Sequence, residues 1–181
     1  MNKMPSIAIV GAGIAGLSCA TQLQAAGFAL TVIDKSRGPG GRMSTRRGDG
    51  WQCDHGAQYF TARDPAFRAE VARWQRAGVA DLWPARIAVL GGDRGHGQDI
   101  PPDRFVGVPR MTAPARLLAD GLPLALSTTV TELRPSPDGW WLVSAEHGLH
   151  PTRFDGVLLA VPAPQAVPLL RTAAPGLASA T

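Results

Sequence analysis

Gly11, Gly13 and Gly16 form G-x-G-x-x-G between an apolar run, Ile7, Ala8 and Ile9, and a segment rich in Ala, Leu and Gln. Each glycine answers a different need of phosphate binding. Gly11 permits a tight turn, Gly13 lets backbone approach a pyrophosphate, and Gly16 lets a helix pack closely on a strand. The helix that follows would present its free N–H groups and the positive end of its dipole to the phosphates. Asp34 stands at the end of the next apolar run, at the distance expected of an acid that accepts hydrogen bonds from an adenosine ribose. An acid there disfavours a ribose 2′-phosphate. Just beyond it, "RGPGGRMSTRR" supplies a second glycine pair, Gly40 and Gly41, followed by Arg42. A second backbone approach and a guanidinium able to fork two phosphate oxygens suit a longer ligand lying across a sheet.

Groups for acid–base or nucleophilic chemistry are sparse. His55 beside Asp54 is the nearest to a pair, and its position between Asp54 and Gly56 argues that it points away. His96, His147 and His150 fall in turn-like stretches, and no G-x-S-x-G occurs. Cys19 and Cys53 are the two cysteines. Neither forms a CxxC or a Cys/His metal spacing, so no metal site and no disulfide framework is expected. The catalytic residues therefore stay unassigned.

The elements that must position these groups read as an α/β chain. Residues 7–10 form a fully apolar strand, as in a buried parallel sheet. Residues 14–26 form a helix closed by Gly27, and residues 30–33 the second strand. The stretch Gly38, Pro39, Gly40, Gly41 is a loop. Asp64 and Pro65 open a helix with Phe67, Val71 and Trp74 on one face and Gly78 at its end. Residues 86–90 are expected as a strand, residues 91–104 as an exposed loop, and "TAPARLLADG" as a short helix. Residues 124–127, 130–133 and 140–145 are expected to form a β-meander, with a turn at 135–139 between its second and third strands. Residues 156–161 are a second fully apolar run, expected as a further parallel strand, and "APQAVPLL" follows as a helix.

The 181 residues are 45% hydrophobic and 18% charged, enough for a sizeable buried core. The formal charge of +4 rests on scattered arginines, with Lys3 and Lys35 the only lysines. The basic residues 42–47 lack interleaved aromatics, so a phosphate-bearing small molecule explains them better than nucleic acid. No apolar run reaches membrane-spanning length and no secretory leader is apparent, so a cytoplasmic setting without a membrane or nucleic-acid partner is expected.

"DKSRGPGGRMS", "DHGAQYFTARD" and "VPAPQA" together resemble bacterial renalase-like NAD(P)/FAD-dependent oxidoreductases, within the flavin-containing amine oxidase superfamily. The resemblance implies a Rossmann-like FAD-binding domain with a parallel sheet and β-meander, made of residues 1–61 and 105–181. Residues 62–104 would be part of a smaller substrate-binding cap, and the chain the N-terminal portion of longer relatives, truncated at its C-terminal end. It implies non-covalent FAD, with Gly11, Gly13, Ile14, Ala15 and Gly16 at the pyrophosphate and Asp34 and Lys35 at the ribose. Gly41, Arg42 and Met43 would lead toward the flavin, Ala57, Gln58 and Tyr59 would lie near the isoalloxazine, and Val130 would offer its backbone to the adenine. The activity implied is oxidation of wrongly reduced dihydro-NAD(P) isomers by O2, giving H2O2. A flavin amine oxidase or desaturase relative and a non-catalytic nucleotide-binding fragment are the alternatives, and the small-molecule substrate would be a dihydronicotinamide dinucleotide or an amine.

Overall fold

The computed structural model describes residues 4–84, 86 and 102–179. In chain order its elements are β1 (Ser6–Val10), α1 (Ile14–Ala25), β2 (Ala29–Ile33), a 3-10 turn (Gly41–Met43), β3 (Thr45–Gly48) and β4 (Trp51–Asp54). Then come α2 (Pro65–Arg76), β5 (Ala80–Leu82), β6 (Phe105–Gly107), α3 (Ala113–Ala119), β7 (Leu124–Ala125) and β8 (Val130–Ser136). The last are β9 (Gly139–Ser144), β10 (Gly148–Leu149), β11 (Gly156–Leu159), α4 (Ala163–Ala173) and α5 (Pro175–Ala178). The chain divides into two compact units, Met1–Arg42 with Ala115–Thr181, and Met43–Pro114.

The first unit is an α/β Rossmann-like fold. Its four strands run in the order β11-β1-β2-β7, all pairings parallel. Ala8 and Ile9 are fully buried on β1, as are Val32 and Ile33 on β2, which is why both strands read as unbroken apolar runs. The β1–α1–β2 crossover packs through Leu17 and Ala20, both fully buried. A three-stranded antiparallel sheet, β10-β9-β8, adds Leu133 and Leu142 to a core shared with Ala8, Val10, Ile33, Phe154 and Leu169. That core holds the carboxyl ends of β1 and β2, where the candidate site residues lie.

Two expectations change here. The segment at 124–127 is not a meander strand: Leu124 and Ala125 pair in parallel with Val32 and Ile33 and extend the main sheet. The third meander strand is instead β10, which pairs with β9. The turn expected over 135–139 is tighter, because β8 runs to Ser136 and β9 begins at Gly139, whose φ of 143° suits glycine.

The second unit carries two antiparallel pairs, β3-β4 and β5-β6, and helix α2. Asp64 caps α2 by accepting the N–H of Ala66 at 2.9 Å and of Phe67 at 3.0 Å, with Pro65 in the first turn. Val71 and Trp74 are buried, as the sequence spacing predicts. The hairpin of β3 and β4 carries no alternation of apolar residues and was not anticipated. These units divide the chain at 42/43 and 114/115, whereas the sequence reading placed boundaries at 61/62 and 104/105. Residues 43–61 join the second unit partly through Phe60, which pairs with Phe105. The expected strand at 86–90 lies outside the described residues except for Arg86, and His96 and most of the expected loop at 91–104 also lie outside them.

Candidate functional site

The glycine turn is built at the carboxyl end of β1. Gly11 has φ 117°, and a Cβ there would come within 2.6 Å of the Ala160 carbonyl oxygen. A Cβ on Gly16 would meet the Gly11 carbonyl oxygen at 2.0 Å, so glycine is what lets α1 start so close to β1. Gly13 is different, because a Cβ there meets nothing within 4 Å. Its backbone faces open space at the N-terminus of α1, and no side chain caps that end. The first-turn amides of a helix have no partner within it, which leaves those of Ile14, Ala15 and Gly16 for a ligand.

Asp34 sits half-buried directly beside this turn. Its Oδ2 accepts the Ala12 N–H at 2.6 Å, and its Oδ1 accepts the Ser36 N–H at 2.7 Å. The carboxylate therefore fixes the glycine turn as well as offering its remaining lone pairs. Neighbouring backbone holds it in place, since the Asp34 N–H donates to the Ala125 carbonyl at 3.0 Å and its own carbonyl accepts the Thr128 N–H at 2.9 Å. Ser127, at φ 52°, donates its N–H to the Ser36 carbonyl at 3.0 Å.

The second glycine loop folds back onto the first. The Gly40 N–H donates to the Ala12 carbonyl at 2.9 Å, and Gly40 forms a parallel bridge with Gly13. Gly41, at φ 53°, lies so near that a Cβ on it would be 3.1 Å from the Gly13 Cα. Both loops thus present backbone at one place, and Arg42 is exposed immediately after them.

A cleft of about 430 Å³ opens beside Asp34. Val10, Ile33, Val161 and Leu169 give it apolar walls, and Thr128, Thr129 and Val130 form another side. Lys35 and Gln165 also line it, with the Lys35 ammonium donating to the Gln165 Oε1 at 3.3 Å. Thr129 is pinned by Glu146, which accepts its N–H at 2.6 Å and its hydroxyl at 2.7 Å, and these two bonds hold the Glu146 carboxyl below the usual range.

The structure thus gathers Gly11, Gly13, Ile14, Ala15, Gly16, Asp34, Lys35, Gly41 and Arg42 in the first unit, and Val130 lines the same cleft as Asp34. Met43, Ala57, Gln58 and Tyr59 belong to the second unit. There Asp54 accepts the Thr45 hydroxyl and the Met111 N–H, so it is engaged structurally, and His55 is exposed. Cys53 is exposed and Cys19 half-buried, both as free thiols. Among the described residues no group of three His, Cys, Asp or Glu could hold a metal, and no helix is long and apolar enough to cross a membrane. Sequence reasoning missed Thr128, Thr129 and Gln165. The hydroxyl run Ser127-Thr128-Thr129 just after a short apolar stretch was the available signal, and Gln165 lies within the "VPAPQA" motif without its own role being read there.

Residues 9–74 match the family model described as an NAD(P)-binding Rossmann-like domain. An L-amino-acid oxidase of Siganus canaliculatus is 39% identical over 70 residues, which is 38% of this chain and 13% of that protein. Hydroxyneurosporene desaturase of Rubrivivax gelatinosus is 46% identical over 57 residues, 32% of this chain and 11% of that protein. Among solved structures, a redesigned putrescine oxidase has a TM-score of 0.70 at 16% identity, over 92% of this chain and 60% of that one. A candidate protoporphyrinogen oxidase from Exiguobacterium sp. 255-15 has a TM-score of 0.69 at 15% identity, over 98% of this chain and 64% of that one. At that identity the likeness is one of fold. The chain spans about three-fifths of those structures and a small fraction of the curated relatives. Residues 9–74 thus match an NAD(P)-binding Rossmann-like domain, and this part of the chain is similar to segments of an L-amino-acid oxidase and a hydroxyneurosporene desaturase.

Proposed function

We propose that this chain is the nucleotide-binding part of an FAD-dependent oxidoreductase of renalase-like activity, one that oxidises wrongly reduced dihydro-NAD(P) isomers with O2 and releases H2O2. One observation carries the cofactor assignment: the Gly40-Gly41 loop lies against the Gly13 turn, beside a cleft that Gly11 and Asp34 help to line. A dinucleotide fits these residues, since Gly13 leaves its backbone bare and α1 leaves its first amides free. In this reading Gly11, Gly13, Ile14, Ala15 and Gly16 hold the pyrophosphate. Asp34 accepts ribose hydroxyls with Lys35 beside it, and Val130 offers backbone to the adenine. Ile33, Val161 and Leu169 keep water from the base, and Arg42 neutralises phosphate charge while Gly41 and Met43 carry the chain onward. Ala57, Gln58 and Tyr59 serve the flavin end, and residues 62–104 the substrate.

The chemistry FAD would supply when bound is acceptance of a hydride from the substrate and return of its electron pair and proton, with a second proton from solvent, to O2 as H2O2. A dihydronicotinamide is already a hydride donor, so its oxidation needs no protein base. That agrees with the sparse acid–base residues around Asp54 and His55.

A second reading, an amine oxidase or desaturase, is favoured by the relatives just given, an L-amino-acid oxidase and a hydroxyneurosporene desaturase. The experiment that separates them begins with the absorption spectrum of purified protein after addition of FAD. Peroxide release is then measured with dihydronicotinamide isomers and with simple amines. Flavin bands and peroxide from the isomers alone support the proposal. Peroxide from amines alone transfers the assignment to an amine oxidase, and bound FAD without turnover of either leaves a nucleotide-binding module. The working setting is the cytoplasm, with a small molecule rather than nucleic acid or a membrane as partner.

A further inference from the structure

The second unit sorts its aromatic side chains onto two faces. Phe60 and Phe105 exchange both backbone hydrogen bonds, at 2.9 and 2.8 Å, and Leu82 stands opposite Phe105 in the β5–β6 ladder. Side chains alternate along extended backbone. Phe60 and Phe105 stack with centroids 5.8 Å apart on the face toward α2, where Phe60 also meets Phe67 at 6.1 Å and Trp74 at 5.9 Å. Their sequence neighbours Tyr59 and Arg104, together with Trp83 opposite Arg104, fall on the other face.

That other face is not a core. Tyr59 and Trp83 are each 40% exposed, and their rings lie 5.8 Å apart at 34°. The Arg104 guanidinium carbon sits 5.1 Å from the centre of the Tyr59 ring. Its Nε is buried without a hydrogen-bond partner, and among the described residues no carboxylate pairs with it. Asp81, on the same face of β5, turns its carboxylate to the Leu82 N–H at 2.7 Å instead. A buried guanidinium nitrogen without an acceptor is unfavourable until something supplies one. The supplier that also suits two half-exposed rings is a flat aromatic molecule carrying a negative group.

We propose that Tyr59, Trp83 and Arg104 bind a planar aromatic anion, its ring against Tyr59 and Trp83 and its carboxylate or phosphate on Arg104. The inference deepens the flavoenzyme reading, on which it rests for treating this face as the substrate side, by naming the substrate class as a flat ring with an anionic group nearby.

Benzoate is the probe and benzamide its neutral control, titrated into the 181-residue chain while tryptophan fluorescence is followed. Saturable quenching by benzoate is expected, with at least about tenfold weaker binding of benzamide. Trp83→Phe should abolish the quenching, and Arg104→Gln should weaken benzoate about tenfold, down to the benzamide level. Arg104→Lys, which keeps the charge but not the fork, should fall between. Circular dichroism of each variant shows whether it folds; should Arg104→Gln fail to fold, Arg104→Lys and Trp83→Phe decide. Equal binding of benzoate and benzamide overturns the proposal, as does quenching that survives Trp83→Phe or the absence of a saturable response. The two readings fail separately. Benzoate binding without any affinity for FAD would refute the flavoenzyme reading alone, and FAD binding without benzoate binding would refute this site alone.

Discussion

Gly11, Gly13 and Gly16 look interchangeable in the sequence, yet substitution at each should fail in a different assay. Gly16→Ala forces a Cβ to within 2.0 Å of the Gly11 carbonyl oxygen, and Gly11→Ala demands φ 117° with only 2.6 Å to Ala160. Both should lose roughly 1–3 kcal/mol of stability or more, read as a fall in melting temperature. Gly13→Ala meets no atom in the protein, so its stability should change by about 1 kcal/mol or less, while FAD affinity collapses because the methyl group occupies the path of a phosphate. Normal FAD affinity in Gly13→Ala would show that no pyrophosphate passes there. Asp34→Ala orphans the N–H groups of Ala12 and Ser36 as well as any ribose hydroxyl, so it should cost about 1–3 kcal/mol in stability and weaken FAD too. Asp34→Asn keeps one carboxyl-like acceptor and should lose less in both measurements. The glycines and Asp34 were legible because chemistry fixes them within one βαβ unit. Thr128 and Gln165 were not, because they reach the cleft only through pairings with distant parts of the chain.

At the scale of elements, what the sequence revealed depended on whether the signal was local. The start of α2 was plain, since Asp64 and Pro65 act on amides two and three residues away. Asp64→Ala should cost about 1 kcal/mol, seen as a lower unfolding midpoint in urea. Strand β7 was misassigned for the opposite reason: it is two residues long, and its partner is β2, far back in the chain. Nothing in "LALS" tells a parallel edge strand from the first strand of a meander. The β3–β4 hairpin escaped notice because it is exposed on both faces, so no apolar alternation was required of it. The tie from Glu146 to Thr129 has a pH dependence of known sign. The carboxyl titrates below its ordinary value in the folded chain because Thr129 bonds to its charged form. Its contribution is therefore complete above the unfolded value of 4.5 and is lost as pH falls through the lower folded value. Wild type should melt above Glu146→Gln at pH 7, and the gap should narrow progressively as the pH falls below 4.5. A gap that stays constant from pH 7 to pH 3 would show that the charge is not what pins Thr129.

For the whole molecule, composition and the two apolar runs were enough to place a parallel α/β core, but not to place its boundaries. Residues 43–61 carry the glycine loop's continuation and read as part of the same domain, yet pairing of Phe60 with Phe105 helps draw them into the second unit. The first unit alone holds both glycine loops, Asp34 and the cleft, so a nucleotide should stabilise the chain through that unit. NAD and FAD share the adenosine and pyrophosphate, and hence everything that Gly13 and Asp34 can offer. What separates them in this structure is the second loop, where Gly40 and Gly41 touch the first turn on the path of a longer ligand, while Arg42 makes no ion pair among the described residues and is left for the shared phosphates. A charge-assisted contact from Arg42 is worth about 1.5–3 kcal/mol, or roughly tenfold to a hundredfold in affinity. Ligand at a hundred times its dissociation constant raises stability by about 2.7 kcal/mol, so a difference of that size is measurable as a melting shift. Through the Gly40-Gly41 backbone, FAD should raise the melting temperature more than NAD at equal concentration. Arg42 meets the phosphates common to both ligands, so Arg42→Gln should lower the NAD and FAD shifts together and leave their difference in place. An equal or larger shift with NAD would assign the cleft to a nicotinamide nucleotide and withdraw the flavin. Loss of the FAD advantage alone in Arg42→Gln, with the NAD shift intact, would show that Arg42 meets the flavin half of the ligand and not the shared pyrophosphate.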